Sequence, residues 1–285
     1  MRHNQQNTLQ VDASEQLPAK SLSQTSSSAT QLTAIFTRDP LLIEQAQRLR
    51  HRVFSEEYGA QFDHPELDKD QFDTICDHLL VCDQQNKIIA YTRLINDQQA
   101  IEIGHFYSEN EFDLQEVKAL PGKKMELGRT CIHPDYRTGA GLTTLWSALT
   151  SYLVEHDYQW LFGCCSIPLD DNCHALHSTL NTLQKSTIGQ SETANNYSVS
   201  PATPLPFHIE RQLSQLINAE DCSNLSNKKN KTPPLLKSYL RMGAKAIGAP
   251  CWDSDFNCAD IFILMNINDM PAKYLNHFAR HVLLK

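Results

Sequence analysis

The sequence predicts a single α/β (α+β) domain, in which helices cover both faces of a mixed β-sheet. Short apolar runs alternate through the centre of the chain with segments whose apolar residues recur at helical spacing. A hydrophobic fraction of 41% and a charged fraction of 20% in 285 residues are typical of a globular protein with a sizeable core. Residues 1–30 are instead rich in Gln, Ser and Thr, so we expect a disordered polar tail before a domain over 31–285.

The domain is expected to begin with a strand over 32–37 and a helix directly after it. Asp39 and Pro40 are typical of the N-cap and first position of a helix, and Gly59 is typical of the residue that follows its end at Tyr58. Three arginines are predicted to project between the residues of its apolar stripe: Arg48, Arg50 and Arg52.

Strands are predicted in the next part of the chain. The apolar runs His78–Cys82 and Ile88–Ile95 flank a polar turn and predict a hairpin. A further short strand is expected at Ala100–Ile103, and Ser108 is expected to cap a helix over Asp113–Leu120.

The rest of the chain is predicted to alternate between strands and helices. Strands are expected at Trp160–Ser166, Ala246–Gly248 and Asp260–Asn266, and helices at Asn172–Leu183, Ile209–Leu216, Leu235–Met242 and Lys273–Leu284. Segments 184–205 and 218–232 are rich in Ser, Thr and Asn, which predicts mobile insertions.

The charge pattern excludes one class of protein. The net charge is −8, whereas a nucleic-acid-binding protein is normally basic, so we predict no nucleic acid partner. Residues 228–285 hold nine basic and four acidic residues, while 1–227 hold 16 basic and 29 acidic ones. A basic end suits an acidic protein partner, and a solvated loop at Lys228, Lys229 and Lys231 explains it equally well.

The cysteine content indicates a reducing compartment. Nine cysteines without a C-x-x-C pair predict free thiols in a cytosolic protein. We expect no secretory signal, and no apolar run approaches the roughly 20 residues of a membrane span. Cys173 and His177 share one face of a predicted helix, but no fourth ligand is evident, so we predict no metal site.

The stretch Met125–Trp146 has the order strand, glycine turn, helix. Its turn contains Arg137, Gly139 and Gly141, and the free N–H groups at the start of the following helix suit a phosphate. This layout favours a site that binds a phosphate-bearing acyl carrier. The alternative is a strand–helix turn in which the glycines serve geometry alone.

Glu126 and Arg129 lie one strand length before that turn. A buried glutamate beside a reaction centre can serve as a general base, directly or through water. Arg93, inside a predicted strand, needs a partner if its side chain is buried. The alternative for Glu126 and Arg129 is a salt bridge at a strand edge.

A second set of charged residues surrounds the first helix. Arg50 and Phe54 share a helix face, and Asp70 and Asp73 follow on an acidic segment. Such a web can bind a zwitterion, because carboxylates pair with its amines and an arginine with its carboxylate. A purely structural ion-pair network is the alternative.

These residues together resemble two related families. The core pattern of LuxI-type acyl-homoserine lactone synthases is matched by Leu49-Arg50-x-x-Val53-Phe54, Asp70-x-x-Asp73, Arg93 and Glu126-x-x-Arg129. One departure is Ala60, where those synthases usually carry tryptophan.

The chain resembles the ornithine acyl-ACP N-acyltransferase family, also called OlsB-like or hemolysin-like, more closely. The resemblance spans about residues 40–280 and includes two C-terminal blocks that the synthases lack. The matching blocks are Phe72-Asp73-x-x-Cys76-Asp77-His78-Leu79-Leu80-Val81, Glu126-Leu127-Gly128-Arg129-x-x-x-His133-Pro134-Asp135-Tyr136-Arg137, Pro233-Pro234-Leu235-Leu236-Lys237-x-Tyr239-Leu240-Arg241-x-Gly243-Ala244 and Trp252-Asp253-x-Asp255-Phe256-Asn257-x-Ala259-Asp260.

The resemblance implies a GNAT-like fold with a mostly antiparallel sheet, and an enzyme that moves a 3-hydroxyacyl chain from acyl carrier protein to the α-amine of L-ornithine, the first step toward ornithine lipids. The resemblance implies no tightly bound cofactor, and the donor would be the acyl-phosphopantetheine group of acyl carrier protein. The implied catalytic residues are Glu126 and Arg129, and the implied substrate-binding residues are Arg50, Phe54, Asp70, Asp73 and Arg93.

One departure from ordinary GNAT acetyltransferases bears on the donor. Their pyrophosphate loop reads Gln/Arg-x-x-Gly-x-Gly/Ala, and counted from Arg137 the glycines here come one residue early. This favours a carrier with a single phosphate over CoA. Two alternative functions stay open: a homoserine lactone synthase and a non-catalytic module that binds acyl carrier protein. For the location, we expect the cytoplasm, with or without weak association with the surface of the inner membrane.

Overall fold

The computed structural model describes residues 32–137, 139–187, 197–221 and 232–279. Its centre is an eight-stranded sheet in the order β1-β2-β3-β5-β6-β10-β8, with β9 also paired to β10, and β4 and β7 form a separate two-stranded sheet. The strands are β1 (Thr33–Thr37), β2 (Asp77–Cys82), β3 (Ile88–Asn96), β4 (Phe112–Asp113), β5 (Lys123–Ile132), β6 (Tyr158–Pro168), β7 (Ser200–Pro201), β8 (Lys245–Ala246), β9 (Cys251–Asp253) and β10 (Cys258–Asn266).

Eight α-helices are present among the described residues. They are α1 (Pro40–Tyr58), α2 (Asp97–Ile103), α3 (Gln115–Lys118), α4 (Ala140–Glu155), α5 (His174–Thr187), α6 (Phe207–Asp221), α7 (Pro234–Arg241) and α8 (Ala272–Phe278). All strand pairs in the large sheet are antiparallel except β5 and β6, which are parallel. The predicted fold class, a mostly antiparallel sheet with helices on both faces, is confirmed.

The first helix has the bounds that its capping residues predict. The Asp39 side chain accepts the N–H of Leu41 at 2.9 Å, Pro40 occupies the first turn, and Gly59 ends the helix at φ +68°. Gly59 therefore supplies the left-handed conformation that an L side chain rarely adopts. The predicted hairpin is also confirmed as β2 and β3.

Successive side chains of β2 point to opposite faces of the sheet and pack in separate core clusters. Leu79 and Val81 pack in the cluster that contains α4, whereas Leu80 and Cys82 pack in the cluster that contains α1. A third cluster, on the α1 side, joins α2 and α3 to the phenylalanines of β6 and β10. Both faces of the sheet are thus buried, which is why its strands are almost continuously apolar.

Two predicted elements are wrong. Ala100–Ile103 is part of α2, because Asn96 accepts the N–H groups of Gln98 and Gln99 while Gln99 accepts the N–H of Asn96, a capping box that starts a helix. The helix predicted over Asp113–Leu120 is only the four-residue α3. Ser108 lies instead in a 3₁₀ turn, and its polar groups have another partner, described below.

Several sequence predictions lie outside the described residues. These are the tail 1–30, the lysines Lys228, Lys229 and Lys231, residues 188–196 and 222–231 of the predicted insertions at 184–205 and 218–232, and the end of the predicted helix Lys273–Leu284. In the parts of the chain that the structure covers, no helix combines the length and apolar character needed to cross a bilayer.

The sheet opens between its two parallel strands. The ladder between β5 and β6 runs from Lys123–Tyr158 to Glu126–Phe162 and goes no further along these fully described strands. Beyond it, β5 continues beside β3 and β6 continues beside β10. Gly163 is required at the point of divergence, because a Cβ there would lie 2.2 Å from the carbonyl oxygen of Leu127.

Candidate active site

A buried ion-pair web lies beneath α1. Arg50 donates from Nε to Asp68 at 2.9 Å and from Nη1 to Asp73 Oδ1 at 2.7 Å. Arg93 Nη1 donates to the same Asp73 oxygen at 3.0 Å and to Asp70 at 2.6 Å. The two guanidinium groups therefore share one carboxylate, which brings four of the predicted site residues together.

Burial corrects one prediction and explains the charge state of the web. Arg50 was expected to project from α1 between apolar residues, but its side chain is fully buried because Asp68 and Asp73 lie beneath the helix. Arg48 and Arg52 are about half exposed. Burial alone would raise the pKa of Asp73, but Arg50 and Arg93 hold that pKa well below its ordinary value. The charged groups of the web are thus paired largely with one another.

A cavity of about 120 Å³ occupies the opening between β5 and β6. Its walls come from both sides of the sheet: Leu127 and Cys165 belong to the core on the α4 face, whereas Cys164 packs against the core on the opposite face. The lining consists of Phe54, Tyr58, Tyr107, Ser108, Glu111, Glu126, Leu127, Gly128, Arg129, Thr130, Cys164, Cys165, Ser166, Pro233, Leu235, Tyr239, Asp253, Phe256 and Asp260.

Glu126 lies in this lining at the last position of β5 that pairs with β6, and it is 1% exposed. Its Oε2 accepts the backbone N–H of Tyr107 at 2.7 Å, and its Oε1 accepts the N–H of Ser108 at 2.7 Å and the Ser108 hydroxyl. Burial raises the pKa of Glu126, while these hydrogen bonds oppose the rise. A carboxylate with a raised pKa at the wall of a cavity is suited to accept a proton.

Arg129 is the one basic side chain among the described residues of the lining. It has φ +52° and lies at a bulge, where two residues of β5 face one residue of β3. Its Nη1 donates to the Tyr107 hydroxyl at 3.0 Å, and its Nε lies 3.2 Å from Asp68. A strained backbone at a bulge re-aims a side chain, and here it brings a guanidinium group to the cavity.

The other predicted substrate-binding residues take two different places. Phe54 lines the cavity together with Phe256, and the two ring centroids are 6.4 Å apart. Arg50, Asp70, Asp73 and Arg93 form the web behind Arg129 and are absent from the lining. The web and the cavity therefore meet at Arg129.

The predicted phosphate-binding turn lies at the start of α4. Gly139 has φ +95° and precedes the first residue of the helix, and a Cβ on Gly141 would lie 3.5 Å from Ile89. Arg137 pairs with Glu57 and also donates to the carbonyl oxygen of Ile132 at 3.1 Å. None of these three residues belongs to the described cavity lining, so their role stays a prediction.

Sequence reasoning assigned no role to three acidic residues of the cavity. Asp253 and Asp260 lie in the fourth block of the family resemblance, so the signal was present without a function attached to it. Glu111 lies in a polar stretch with no recognisable motif. Asp260 faces Ser166 across the β6–β10 ladder, and carboxylate oxygens of Asp253 and Asp260 approach within 4.8 Å of one another.

Comparisons with known proteins identify relatives of this chain. The family model for acetyltransferase (GNAT) domains matches residues 49–147. A protein of Rhodobacter capsulatus named L-ornithine N(alpha)-acyltransferase is 32% identical over 255 residues, which cover 86% of this chain and 93% of that protein. A protein of the same name from Rhizobium meliloti is 34% identical, over 83% of this chain and 80% of its own. Among solved structures, the N-acyl amino acid synthase FeeM from uncultured soil microbes aligns over 88% of this chain and 99% of its own, with 12% identity and a TM-score of 0.47.

Proposed function

The chain belongs to the L-ornithine N(alpha)-acyltransferase family, and we propose that it transfers a 3-hydroxyacyl chain from acyl carrier protein to the α-amine of L-ornithine. Family membership makes it an N-acyltransferase, and it disfavours the homoserine lactone synthase and the non-catalytic binding module that the sequence also allowed. The observation that supports the rest of the proposal is the opened sheet, because Glu126 and Arg129 both line the cavity at this opening.

The donor arm would enter through the opening of the sheet. Backbone N–H and C=O groups of β5 and β6 that face each other there have no ladder partner across the gap, so they can hydrogen-bond the amides of a pantetheine arm. Leu235 and Tyr239 of α7 supply apolar wall on one side of the cavity. The acyl chain is accommodated against that wall, with the thioester near Glu126.

The reaction is an aminolysis of the thioester. The α-amine attacks the thioester carbonyl carbon, and the C–S bond breaks as the amide C–N bond forms. Glu126 accepts the proton that the amine loses, directly or through water, and the departing pantetheine thiolate takes up a proton to become the thiol. Backbone N–H groups at the strand opening are suited to stabilise the oxyanion of the tetrahedral intermediate.

Arg129 would bind the carboxylate of the amino acid. It is the basic group of the lining, and a guanidinium fork matches a carboxylate in geometry and charge. Asp68 and the web formed by Arg50, Asp70, Asp73 and Arg93 would hold Arg129 in place. The web thus acts on the substrate through Arg129, since its own charges are largely paired internally.

Acyl carrier protein would dock beside α7. This helix contributes Leu235 and Tyr239 to the cavity and also carries Lys237 and Arg241, with Lys245 following on β8. No ion pair joins these three cations to an acidic residue within the described chain. Their charge would complement an acidic carrier protein and increase the encounter rate.

The test uses purified full-length enzyme with 3-hydroxyacyl-ACP or the matched acyl-CoA, each offered L-ornithine or S-adenosylmethionine. We expect N-acylornithine from acyl-ACP and ornithine, identified by mass spectrometry. Equal efficiency with both donors would overturn the carrier protein as donor. Acyl-homoserine lactone as the main product, or no product at all, would overturn the proposed reaction.

A further inference from the structure

The cavity has an acidic end that the proposed chemistry does not use. Glu126 and Arg129 come from β5, whereas Glu111, Asp253 and Asp260 come from the loop before β4 and from β9 and β10. The lining therefore holds four carboxyl groups against one guanidinium group in the described chain. A surplus of buried carboxyl groups at the wall of a cavity is costly unless a cation neutralises them.

Two of these carboxyl groups are built into the fold. Asp260 is 2% exposed in the middle of the sheet, where β6 and β9 flank β10. Asp253 and Cys258 face each other on β9 and β10 and lie on the same side of the sheet as Asp260. A carboxylate oxygen of Asp253 and the Sγ of Cys258 both lie within 4.8 Å of a carboxylate oxygen of Asp260. Asp253 also accepts the N–H groups of Asp255 and Phe256, so its orientation is fixed.

Glu111 is the group that points to a ligand. Its Oε2 is buried and has no hydrogen-bond partner among the described residues, although the residue lines the cavity. Burial raises the pKa of Glu111, and the carboxylate of Asp260 raises it further. Burial also raises the pKa of Asp260, to about 6, and Asp253 contributes. Arg129 opposes both rises, but neither carboxyl group forms an ion pair within the described part of the chain, and a bound ammonium ion would supply one.

We propose that Glu111 and Asp260, supported by Asp253, form a subsite that binds the side-chain ammonium group of a diamino acid acceptor. The inference rests on the proposed function, because that function places the α-amine near Glu126 and the α-carboxylate at Arg129. The side chain of the acceptor then extends across the cavity from β5 toward β10. An acceptor without a terminal amine would leave the acidic groups unpaired, so the subsite selects against it.

The discriminating pair of acceptors is L-ornithine and L-norvaline, which share the same carbon chain and differ in the terminal amine. Steady-state kinetics with acyl-ACP would compare the wild type with Glu111→Gln and Asp260→Asn. We expect each variant to lose about 10- to 100-fold in kcat/KM for ornithine, the usual effect of a lost charged hydrogen bond, and much less for norvaline. Asp255→Asn, an exposed neighbour in the β9–β10 turn, is the matched control and should keep the wild-type preference.

Equal losses for both acceptors would overturn the subsite, because they would indicate a role in the chemical step or in folding. An unchanged preference would overturn it as well. Calorimetric titration of ornithine and norvaline without donor separates this inference from the proposed reaction. If the wild type does not acylate ornithine but binds it more tightly than norvaline, and the two variants lose that difference, the subsite stands and the reaction fails. Ornithine binding that requires a divalent metal, and is abolished by EDTA, would assign the acidic groups to a metal instead.

Discussion

Ser108 donates both its backbone N–H and its hydroxyl to a single oxygen of Glu126, Oε1. The two residues lie 18 positions apart, and the contact joins the 3₁₀ turn after α2 to the last residue of β5 that pairs with β6. Because the hydroxyl stabilises the charged carboxylate, it opposes the effect of burial on the pKa of Glu126. Ser108 thus adjusts the basicity of the proposed general base.

Replacing Ser108 with alanine should move the pH dependence of the reaction. Loss of the hydroxyl removes one stabilising contact to the carboxylate, so the pKa of Glu126 should rise further above its ordinary value. A general base must be deprotonated, and the acidic limb of kcat/KM against pH should therefore shift to higher pH. The measurement is the pH profile of both proteins, and an unshifted limb would show that another group is the base.

Glu126→Gln should reduce turnover by roughly 10²–10⁴, the usual contribution of a general base. The glutamine side chain would also place its NH₂ group against a donor, either the backbone N–H of Tyr107 or the N–H and hydroxyl of Ser108. Because two donors would then face each other, we expect the variant to unfold at a lower temperature. Steady-state kinetics and thermal denaturation test both effects. Glu102→Gln, an exposed residue of α2, is the control, and near wild-type turnover by Glu126→Gln would contradict the assignment.

Asp73→Asn should destabilise the fold by about 3–5 kcal/mol, because it removes the carboxylate that Arg50 and Arg93 share and leaves these buried guanidinium groups with only Asp68 and Asp70 as anionic partners. The pKa of Asp73 is depressed in the folded state, so its contribution is present above its unfolded pKa and is lost as pH falls below about 4. Urea denaturation should show a constant difference between wild type and variant from pH 7 to 5, and a smaller one below pH 4.

The control for this measurement is Glu44→Gln. Glu44 pairs with Arg48 on the exposed side of α1, where solvent screens the charges, so its loss should change stability very little. If Asp73→Asn and Glu44→Gln behaved alike, the web would not stabilise the fold.

Reversal of Lys237, Arg241 and Lys245 to glutamate should raise KM for acyl-ACP and change kcat less, because charge steering acts on encounter. The effect should weaken as salt increases. KM for acyl-CoA should change much less. A triple reversal of the exposed Lys87, Lys185 and Lys273 alters the net charge equally, and the same loss in that protein would exclude a local docking surface.

Local signals predicted much of the fold. The bounds of α1 follow from Asp39 and Gly59, which set its ends through their own backbone and side-chain chemistry. The sequence analysis predicts a short strand at Ala100–Ile103, whereas the capping box of Asn96 and Gln99 starts a helix there. Short apolar runs do not distinguish the two structures without such contacts.

The site was less predictable because strands far apart in sequence build it. Glu126 and Arg129 carry a compact motif on one strand, and both reach the cavity. Glu111 and Asp260 line the same cavity only because β6 places β10 beside the opening of the sheet. No spacing in the sequence encodes that proximity, since 149 positions separate the two acidic residues.

The gap between β5 and β6 also weakens the connection between the two halves of the sheet, so that binding in the gap should affect how firmly they are held together. The four paired positions from Lys123 to Glu126 are the only ladder that holds β1, β2, β3 and β5 to β6, β8, β9 and β10 in the described sheet. The proposed pantetheine arm, bonded to both free edges, would act as a temporary extra strand and close this seam. We therefore expect a bound donor to hold the two half-sheets together, so that backbone amides on both sides of the seam exchange hydrogen more slowly than in the free enzyme.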